Sequence, residues 1–150
     1  MTAFTLQFGS LTIISSMATI LIVDDDETIR ETLYDLLSER YECQTASMAE
    51  EALYYLAMHS YDAVLTDISM PGLTGLELLH RVQQGNSRTP VILISGKGSE
   101  QDTDSLIRMG AFAYVTKPFS LDQIELIVER AVEQKLFAGT PEEKGLRERT

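Results

Sequence analysis

The sequence predicts an α/β fold in which a doubly wound, five-stranded parallel sheet is covered by five helices. Short apolar runs of strand length alternate along the chain with longer stretches that carry a helical apolar stripe. Each helical stretch is long enough for a crossover between parallel strands. Several strand-like runs end in polar residues, among them Asp67, at the edge where ligands bind in open α/β sheets.

Composition limits the classes of function. A chain of 150 residues is expected to form one domain with a substantial core. Its formal net charge of -11 argues against direct binding to nucleic acid or to an anionic membrane surface. The single cysteine, Cys43, excludes an internal disulfide and fits the reducing cytoplasm. We interpret Cys43 as a small buried thiol, and no apolar run has the length of a membrane span.

The two ends of the chain differ from its middle. Residues 1–16 lack a basic residue and do not fit a signal peptide. Because a regular pattern begins at Met17, we interpret Met17 as the biological start and residues 1–16 as a poorly ordered extension, with a short extra strand or arm as the alternative. The folded domain is predicted at residues 17–135. Residues 136–150 form a polar tail that we expect to be disordered.

Two strands and two helices are predicted in the first half of the domain. Residues 19–23 are a continuous apolar run, as in a central strand covered on both faces. Residues 28–40 carry a helical stripe, and residues 41–46 alternate weakly, as in a short strand. Residues 47–50 have the spacing of a capping box with the serine hydroxyl at the N-cap, which predicts a second helix to about residue 59.

The alternation continues in the second half. The strand that leads to Asp67 is followed at once by Met70-Pro71-Gly72, which cannot continue a strand. Thr74 begins another capping box, and Gly110 is typical of a residue that follows a helix. The remaining elements are strands at residues 62–66, 90–95 and 111–115, and helices beginning at residue 74, spanning residues 100–109 and beginning at residue 120.

Polar side chains follow the strands of the predicted sheet. In a right-handed parallel sheet the strand ends share one edge, so these side chains should converge there. Converging carboxylates need a cation or a proton, and oxygen ligands of this kind suit Mg²⁺. With an amine and a hydroxyl they could balance a transferring phosphoryl group attacked by Asp67, although Asp67 alone could equally cap a loop. The residues concerned are Asp24, Asp25, Asp67, Ser95 and Lys117.

Four motifs at these strand ends resemble the response-regulator receiver domain of two-component signalling. The resemblance covers residues 17–135, and all four motifs occur in the order of that family. The acidic pair alone is weakly diagnostic, whereas the four motifs together are specific. They are Ile22-Val23-Asp24-Asp25, the segment from Thr66 to Gly72 together with Gly75, Ile94-Ser95-Gly96, and Tyr114-Val115-Thr116-Lys117-Pro118-Phe119.

The resemblance implies a flavodoxin-like sheet of strand order 2-1-3-4-5. It also implies that Asp67 accepts a phosphoryl group from a phosphohistidine of a sensor kinase or phosphotransfer protein. Mg²⁺ would be bound by Asp25, by Asp67 and by the backbone carbonyl of Ser69, while Asp24 would complete the metal site by orienting metal-bound water. The domain would catalyse only its own phosphorylation and dephosphorylation, and so would be a phosphoacceptor rather than an enzyme.

The same resemblance assigns the remaining site residues. Lys117 would pair with the phosphoryl group, Ser95 would move to hydrogen-bond it, and Tyr114 would be the aromatic that moves with Ser95. The Lys117-Pro118 bond is expected to be cis. Ser95 stands where threonine is more frequent, so the hydroxyl is kept, whereas Gly96 replaces a usual alanine and could loosen the loop that follows.

Alternatives stay open at this point. Asp26 extends the acidic pair to three, so Asp25 and Asp26 are a fallback pairing. A flavin-binding module would need a first turn rich in hydroxyls and glycine instead of three acids. A Mg²⁺-dependent phosphohydrolase could use Asp24-x-Asp26, and a degenerate receiver could serve only as a scaffold.

The expected partners follow from the family. They are a histidine kinase or histidine phosphotransfer protein and a downstream protein target, with neither nucleic acid nor membrane bound directly. The fourth and fifth helices could present a surface for a partner or for a phosphorylation-linked homodimer. We expect a cytoplasmic single-domain regulator or phosphorelay intermediate; a piece of a longer regulator is equally compatible with the chain.

Overall fold

The computed structural model describes residues 3–8, 11–85, 88–96 and 103–137, which contain seven strands and five helices. The strands are β1 Ala3–Phe8, β2 Leu11–Ser16, β3 Thr19–Val23, β4 Glu42–Ala46, β5 Ala63–Asp67, β6 Val91–Ser95 and β7 Ala113–Thr116. The helices are α1 Glu27–Leu37, α2 Ala49–Met58, α3 Gly75–Gln84, α4 Thr103–Arg108 and α5 Leu121–Phe137.

The predicted sheet is confirmed. Five strands pair in the order β4-β3-β5-β6-β7, which is 2-1-3-4-5 within this sheet, and all neighbours are parallel. The register brings the strand ends level, since Val23 pairs with Thr66, Asp67 with Ile94, and Ser95 with Thr116. The residues that end or follow these strands therefore share one edge of the sheet.

Apolar strands bury both faces of the sheet, which is why β3, β5 and β6 read as nearly continuous apolar runs. Successive residues of β3 face opposite sides. Ile22 belongs to a core with Leu33 of α1 and Val128 of α5, whereas Val23 belongs to a second core with Leu78 of α3. The sheet is thus a rigid layer between two sets of helices.

Side-chain caps form at Thr74, as predicted, and at Ser120, whereas the cap predicted at Ser47 is not formed. Thr74 Oγ1 accepts the Glu77 N–H at 3.2 Å, and Ser120 Oγ accepts the Gln123 N–H at 3.1 Å. The prediction of Ser47 as N-cap of α2 is wrong. Met48 is the N-cap and has no side-chain cap bond. The Ser47 hydroxyl instead donates to Glu51 Oε2 at 3.3 Å, because a nearby carboxylate competes for it.

The ends of the domain differ from expectation. Of the two readings of residues 1–16, a poorly ordered extension or a short extra strand, the structure shows strands: β1 and β2 pair antiparallel with Phe8 opposite Leu11. Phe and Ile, which favour strands, are frequent in this segment, and two residues separate the strands. Helix α5 includes residues 136 and 137 of the predicted tail, and residues 138–150 lie outside the described part. The fourth helix was predicted from residue 100, but residues 97–102 are likewise not described.

In the described part of the chain, no helix has the length and apolar character needed to cross a membrane. Helices α1 and α3 are amphipathic and have side-chain caps at their N-termini, as expected for helices packed on a sheet.

Gly75 offers a test of how tightly the connection after β5 is packed. A Cβ added there would overlap the carbonyl oxygen of Asp67, whereas a Cβ added at Gly96 meets no atom of the described residues within 4 Å. We expect Gly75→Ala to lower the free energy of unfolding by about 1–3 kcal/mol, as overpacking does. Gly96→Ala should change it by less than about 0.5 kcal/mol. Urea denaturation measures both, and equal stabilities of the two variants would contradict the packing argument.

Cys43 offers a test of burial. Its thiol lies in β4 beside the α1 and α5 core, and burial, reinforced by the carboxylate of Glu42, raises the pKa of Cys43 to about 12. Because the thiolate is the reactive form, alkylation by iodoacetamide at pH 8 should be at least about tenfold slower in the folded protein than in urea. The rate in the folded protein should still be rising at pH 10, where the unfolded thiol is already mostly ionised. Equal rates in both states would show that the thiol is accessible and unshifted.

Candidate functional site

Three carboxylates meet at the carboxyl edge of the sheet. Asp24 and Asp25 follow β3, and Asp67 is the last residue of the neighbouring strand β5. One oxygen from each carboxylate lies within 4.8 Å of the others. Asp24 and Asp67 are buried, whereas Asp25 is exposed to solvent. The arrangement is an acidic pocket formed by two buried carboxylates and one carboxylate that faces solvent.

Lys117 supplies the positive charge of this pocket. Its Nζ donates to Oδ2 of Asp24 and to Oδ2 of Asp67, both at 3.2 Å. The backbone after β7 is held in place because the Lys117 N–H donates to the Ser95 carbonyl at 2.7 Å. The Lys117-Pro118 bond is cis, as predicted. When all four groups are ionised, the site carries an excess of two negative charges and is suited to a divalent cation.

Burial and charge shift the ionisation of these groups. Burial raises the pKa of the Asp67 carboxyl, and the Asp24 carboxylate raises it further, while Lys117 and the Ser69 N–H act in the opposite direction. Burial by itself would lower the pKa of the Lys117 ammonium, but Asp24 and Asp67 together outweigh burial and raise it. Lys117 is therefore held in its charged form, and Asp67 carries a more basic carboxylate than an exposed one.

Asp26 resolves the ambiguity of the three consecutive acids. Its Oδ1 accepts the N–H groups of Thr28 at 2.9 Å and Ile29 at 3.3 Å, so its side chain caps α1. Its own N–H donates to Asp24 Oδ1 at 2.8 Å. Asp26 therefore supports the pocket through its backbone, and among the described residues the acidic cluster contains Asp24 and Asp25. This arrangement disfavours both the fallback pairing and the Asp24-x-Asp26 hydrolase pattern.

Two residues that contact the site were missed by sequence reasoning. Arg30 of α1 donates from Nη1 to the Asp24 carbonyl at 2.8 Å. Glu50 of α2 accepts the Leu73 N–H at 2.9 Å, in the connection that follows Asp67. Arg30 lies one helical turn after the N-cap, a position from which it can reach back, but nothing in the sequence marks it apart from other helical arginines. Glu50 acts across 23 positions, so its contact has no local signature.

The remaining predicted site residues flank the carboxylates. The exposed Ser69 donates its N–H to Asp67 Oδ1 at 3.2 Å. Ser95 is buried at the end of β6, next to the strand of Asp67, and its hydroxyl donates to the Gly96 carbonyl at 3.3 Å. Tyr114 lies on β7, half-buried against the core on the α2 and α3 side. The structure thus brings Asp24, Asp25, Asp67 and Lys117 together, and it places Ser95 on the strand next to that of Asp67 and Tyr114 on β7.

Two cavities differ in their relation to the site. One of about 630 Å³ lies at the opposite end of the sheet, between the ends of α2 and α3, and none of the predicted site residues lines it. Another of about 470 Å³ borders Lys117 and has a mainly apolar lining of Ile29, Thr32, Pro118, Phe119 and Leu121. The site therefore opens beside an apolar surface rather than into a deep enclosed cavity.

Comparison with protein families gives a match over most of the chain. The family described as the response regulator receiver domain matches residues 20–129. The crystal structure of a response regulator receiver domain protein from Clostridium thermocellum superposes with a TM-score of 0.76 at 30% identity, covering 81% of this chain and 99% of that one.

Curated relatives are longer than this chain. The regulatory protein AtoC of Escherichia coli strain K12 is 38% identical over 115 residues, which are 76% of this chain and 25% of AtoC. The uncharacterized transcriptional regulatory protein YkoG of Bacillus subtilis strain 168 is 38% identical over 116 residues, 77% of this chain and 51% of YkoG. The chain thus spans about a quarter to a half of the length of these relatives.

The raised pKa of Asp67 predicts that this carboxylate destabilises the fold. A carboxyl whose pKa is higher in the folded state leaves the fold most stable at acid pH, and stability is lost as the pH rises through the folded pKa. Asp67→Asn should therefore resist urea better than wild type at pH 7 in EDTA, and the difference should vanish at acid pH, where Asp67 is protonated. Asp35→Asn, an exposed control on α1, should match wild type in urea denaturation. If Asp67→Asn proves less stable than wild type at pH 7, the argument is contradicted.

Proposed function

The chain belongs to the response regulator receiver domain family, and we propose that Asp67 accepts a phosphoryl group from a phosphohistidine of a sensor kinase or phosphotransfer protein. The observation that carries this proposal is the Lys117 ammonium, 3.2 Å from oxygens of both Asp24 and Asp67. An ammonium in this position is ready to meet a dianionic group formed on Asp67. A purely structural ion pair would need one carboxylate rather than three.

The transfer is a displacement at phosphorus. A carboxylate oxygen of Asp67 attacks, an O–P bond forms and the P–N bond to the donor imidazole breaks; the electron pair stays on the leaving nitrogen, and a donor ring protonated on its other nitrogen departs as neutral imidazole. Burial makes the Asp67 oxygen more basic, which favours attack. The Ser69 N–H orients the other oxygen, and Lys117 balances charge on the transferring group.

A divalent cation fits the same pocket. Three carboxylates and one ammonium leave an excess of negative charge, and carboxylate oxygens are the ligands that Mg²⁺ prefers. We propose that Asp25 and Asp67, with the Ser69 carbonyl, hold Mg²⁺ and that Asp24 orients its water. When bound, Mg²⁺ supplies charge neutralisation for the incoming phosphoryl oxygens. The exposure of Asp25 lets the ion enter from solvent.

The response to phosphorylation involves Ser95 and Tyr114. In this proposal the Ser95 hydroxyl exchanges its bond to the Gly96 carbonyl for one to a phosphoryl oxygen. Tyr114, on the neighbouring strand β7, follows this movement. The change alters the surface of α4 and α5, which is where a downstream partner or a second copy of the chain would bind.

The proposal implies a switch rather than an enzyme with a separate substrate. The apolar cavity beside Lys117 supports a protein as the phosphodonor, since the cores of protein interfaces bury apolar surface. The net charge of -11 supports a protein partner over nucleic acid for this domain, and we propose a cytoplasmic location. YkoG, a relative named as a transcriptional regulatory protein, is about twice as long as the segment that matches this chain.

Incubation with acetyl phosphate and Mg²⁺ tests the proposal. Wild type should gain the mass of one phosphoryl group, and EDTA should prevent the gain because the pocket then keeps its excess negative charge. Asp67→Asn should gain nothing, Lys117→Gln should react at least about tenfold more slowly, and the exposed Asp35→Asn should behave as wild type. Intact-mass spectrometry measures all four. A wild-type chain that binds Mg²⁺ and stays unmodified, or modification at another residue, would refute the proposal.

A further inference from the structure

The connection from Asp67 to α3 carries a contact that the proposed function does not use. It comprises residues 68–74 and is anchored at both ends. At its start the Ile68 N–H donates to the Ile94 carbonyl at 2.8 Å, and at its end the Gly75 N–H donates to the Ile68 carbonyl at 2.9 Å. Gly75 also packs directly against the Asp67 backbone. Between these anchors the chain turns outward to its tip, residues 71–73.

The tip is held from another helix by Glu50. This residue lies in the first turn of α2, and its Oε1 accepts the Leu73 N–H at 2.9 Å. Gly72 has a φ of +81°, and a Cβ there would lie 3.0 Å from Glu50 Oε1 and 3.3 Å from Oε2. The glycine therefore serves two needs, a left-handed backbone and room for the carboxylate beside the loop.

This anchor matters for the site because Ser69 lies on the same connection. The Ser69 N–H contacts the Asp67 carboxylate, so the path of residues 69–73 determines where the Ser69 backbone lies. The Asp24 side of the pocket has Arg30 and the Asp26 N–H as supports. On the Asp67 side, the Glu50 carboxylate of α2 supports the tip by accepting the Leu73 N–H.

We propose that Glu50 is a positioning residue for the phosphoacceptor site, holding the tip of the 68–74 connection so that Ser69 stays beside Asp67. The inference rests on the proposed function. It assigns the effect to the hydrogen-bond acceptor and not to the negative charge. Loss of an outer hydrogen-bond partner typically weakens a metal site by roughly 10- to 100-fold.

Three variants separate the acceptor from the charge. Glu50→Ala removes both, Glu50→Gln keeps an oxygen acceptor but removes the charge, and Glu51→Ala removes a charge from the same turn of α2. The Glu51 carboxylate bonds to Ser47 and Tyr55 within its own segment, so it is a matched control. Thermal unfolding of each variant confirms that it is folded before comparison.

The readouts are amide hydrogen exchange at Leu73, Mg²⁺ affinity from NMR titration, and the rate of phosphorylation by acetyl phosphate. Glu50→Ala should exchange the Leu73 amide faster, bind Mg²⁺ about tenfold more weakly, and be phosphorylated more slowly at limiting Mg²⁺ but with a nearly unchanged maximal rate at saturating Mg²⁺. Glu50→Gln and Glu51→Ala should lie within about twofold of wild type, because both keep an acceptor for the Leu73 N–H.

The outcomes distinguish this inference from the proposed function. If wild type is phosphorylated and Glu50→Ala matches it in Mg²⁺ affinity and rate, the positioning role is wrong and the proposed function stands. If Glu50→Gln is as weak as Glu50→Ala, the charge matters instead of the acceptor, and the inference is again wrong. If wild type binds Mg²⁺ but is not phosphorylated, the proposed function fails and Mg²⁺ affinity alone decides on Glu50. A wild type that does neither overturns both.

Discussion

The site depends on one electrostatic constraint, the sharing of the Lys117 ammonium between two buried carboxylates. Asp24 and Asp67 are 1% and 5% exposed, so water does little to separate their charges. Without a cation between them, like charges at this spacing would force one to take a proton or the strand ends to move apart. The sheet order explains why they meet at all, because β3 and β5 are neighbours and end level with each other. Lys117 arrives from the far edge strand, so the ion pairs link β3, β5 and β7.

Such a cluster of like charges requires a rigid scaffold, because the carboxylates would otherwise move apart. The residues of β5 are all buried, and the strand has a parallel neighbour on each side. Helices pack on both faces through separate apolar cores. Burial of this extent supplies the favourable free energy against which the unfavourable ionisation of Asp67 is set. The proposed function and the stability of the fold therefore place opposite demands on Asp67, as is common where a site needs buried charges.

The parts of the structure that could be predicted are those that depend on the pattern of residues along a short segment. Continuous apolar runs predicted the central strands, and the positions of Asp24, Asp25, Asp67 and Lys117 after those runs predicted the pocket. Hydrogen bonds across the fold could not be foreseen, because Arg30 and Glu50 act through backbone groups that carry no residue identity. Ser47 shows where a local pattern fails. Its spacing predicts a helix cap, but the spacing does not reveal that the hydroxyl bonds to Glu51 instead. The strands before Met17 pair with each other in a separate two-stranded sheet, so a segment of strand-forming composition can pair locally without joining the central sheet.

The packing around Gly75, which follows Asp67 in the chain, differs from that around Gly96, which follows the neighbouring strand β6. On the α3 side, Gly75 packs so closely against the Asp67 backbone that even a methyl group would not fit. On the β6 side, Gly96 follows Ser95, and no atom of the residues that the structure describes lies within 4 Å of a Cβ added there, so this side is loosely packed. For the phosphoryl group proposed on Asp67, close packing on the α3 side and room beside Gly96 among the described residues favour movement toward the end of β6.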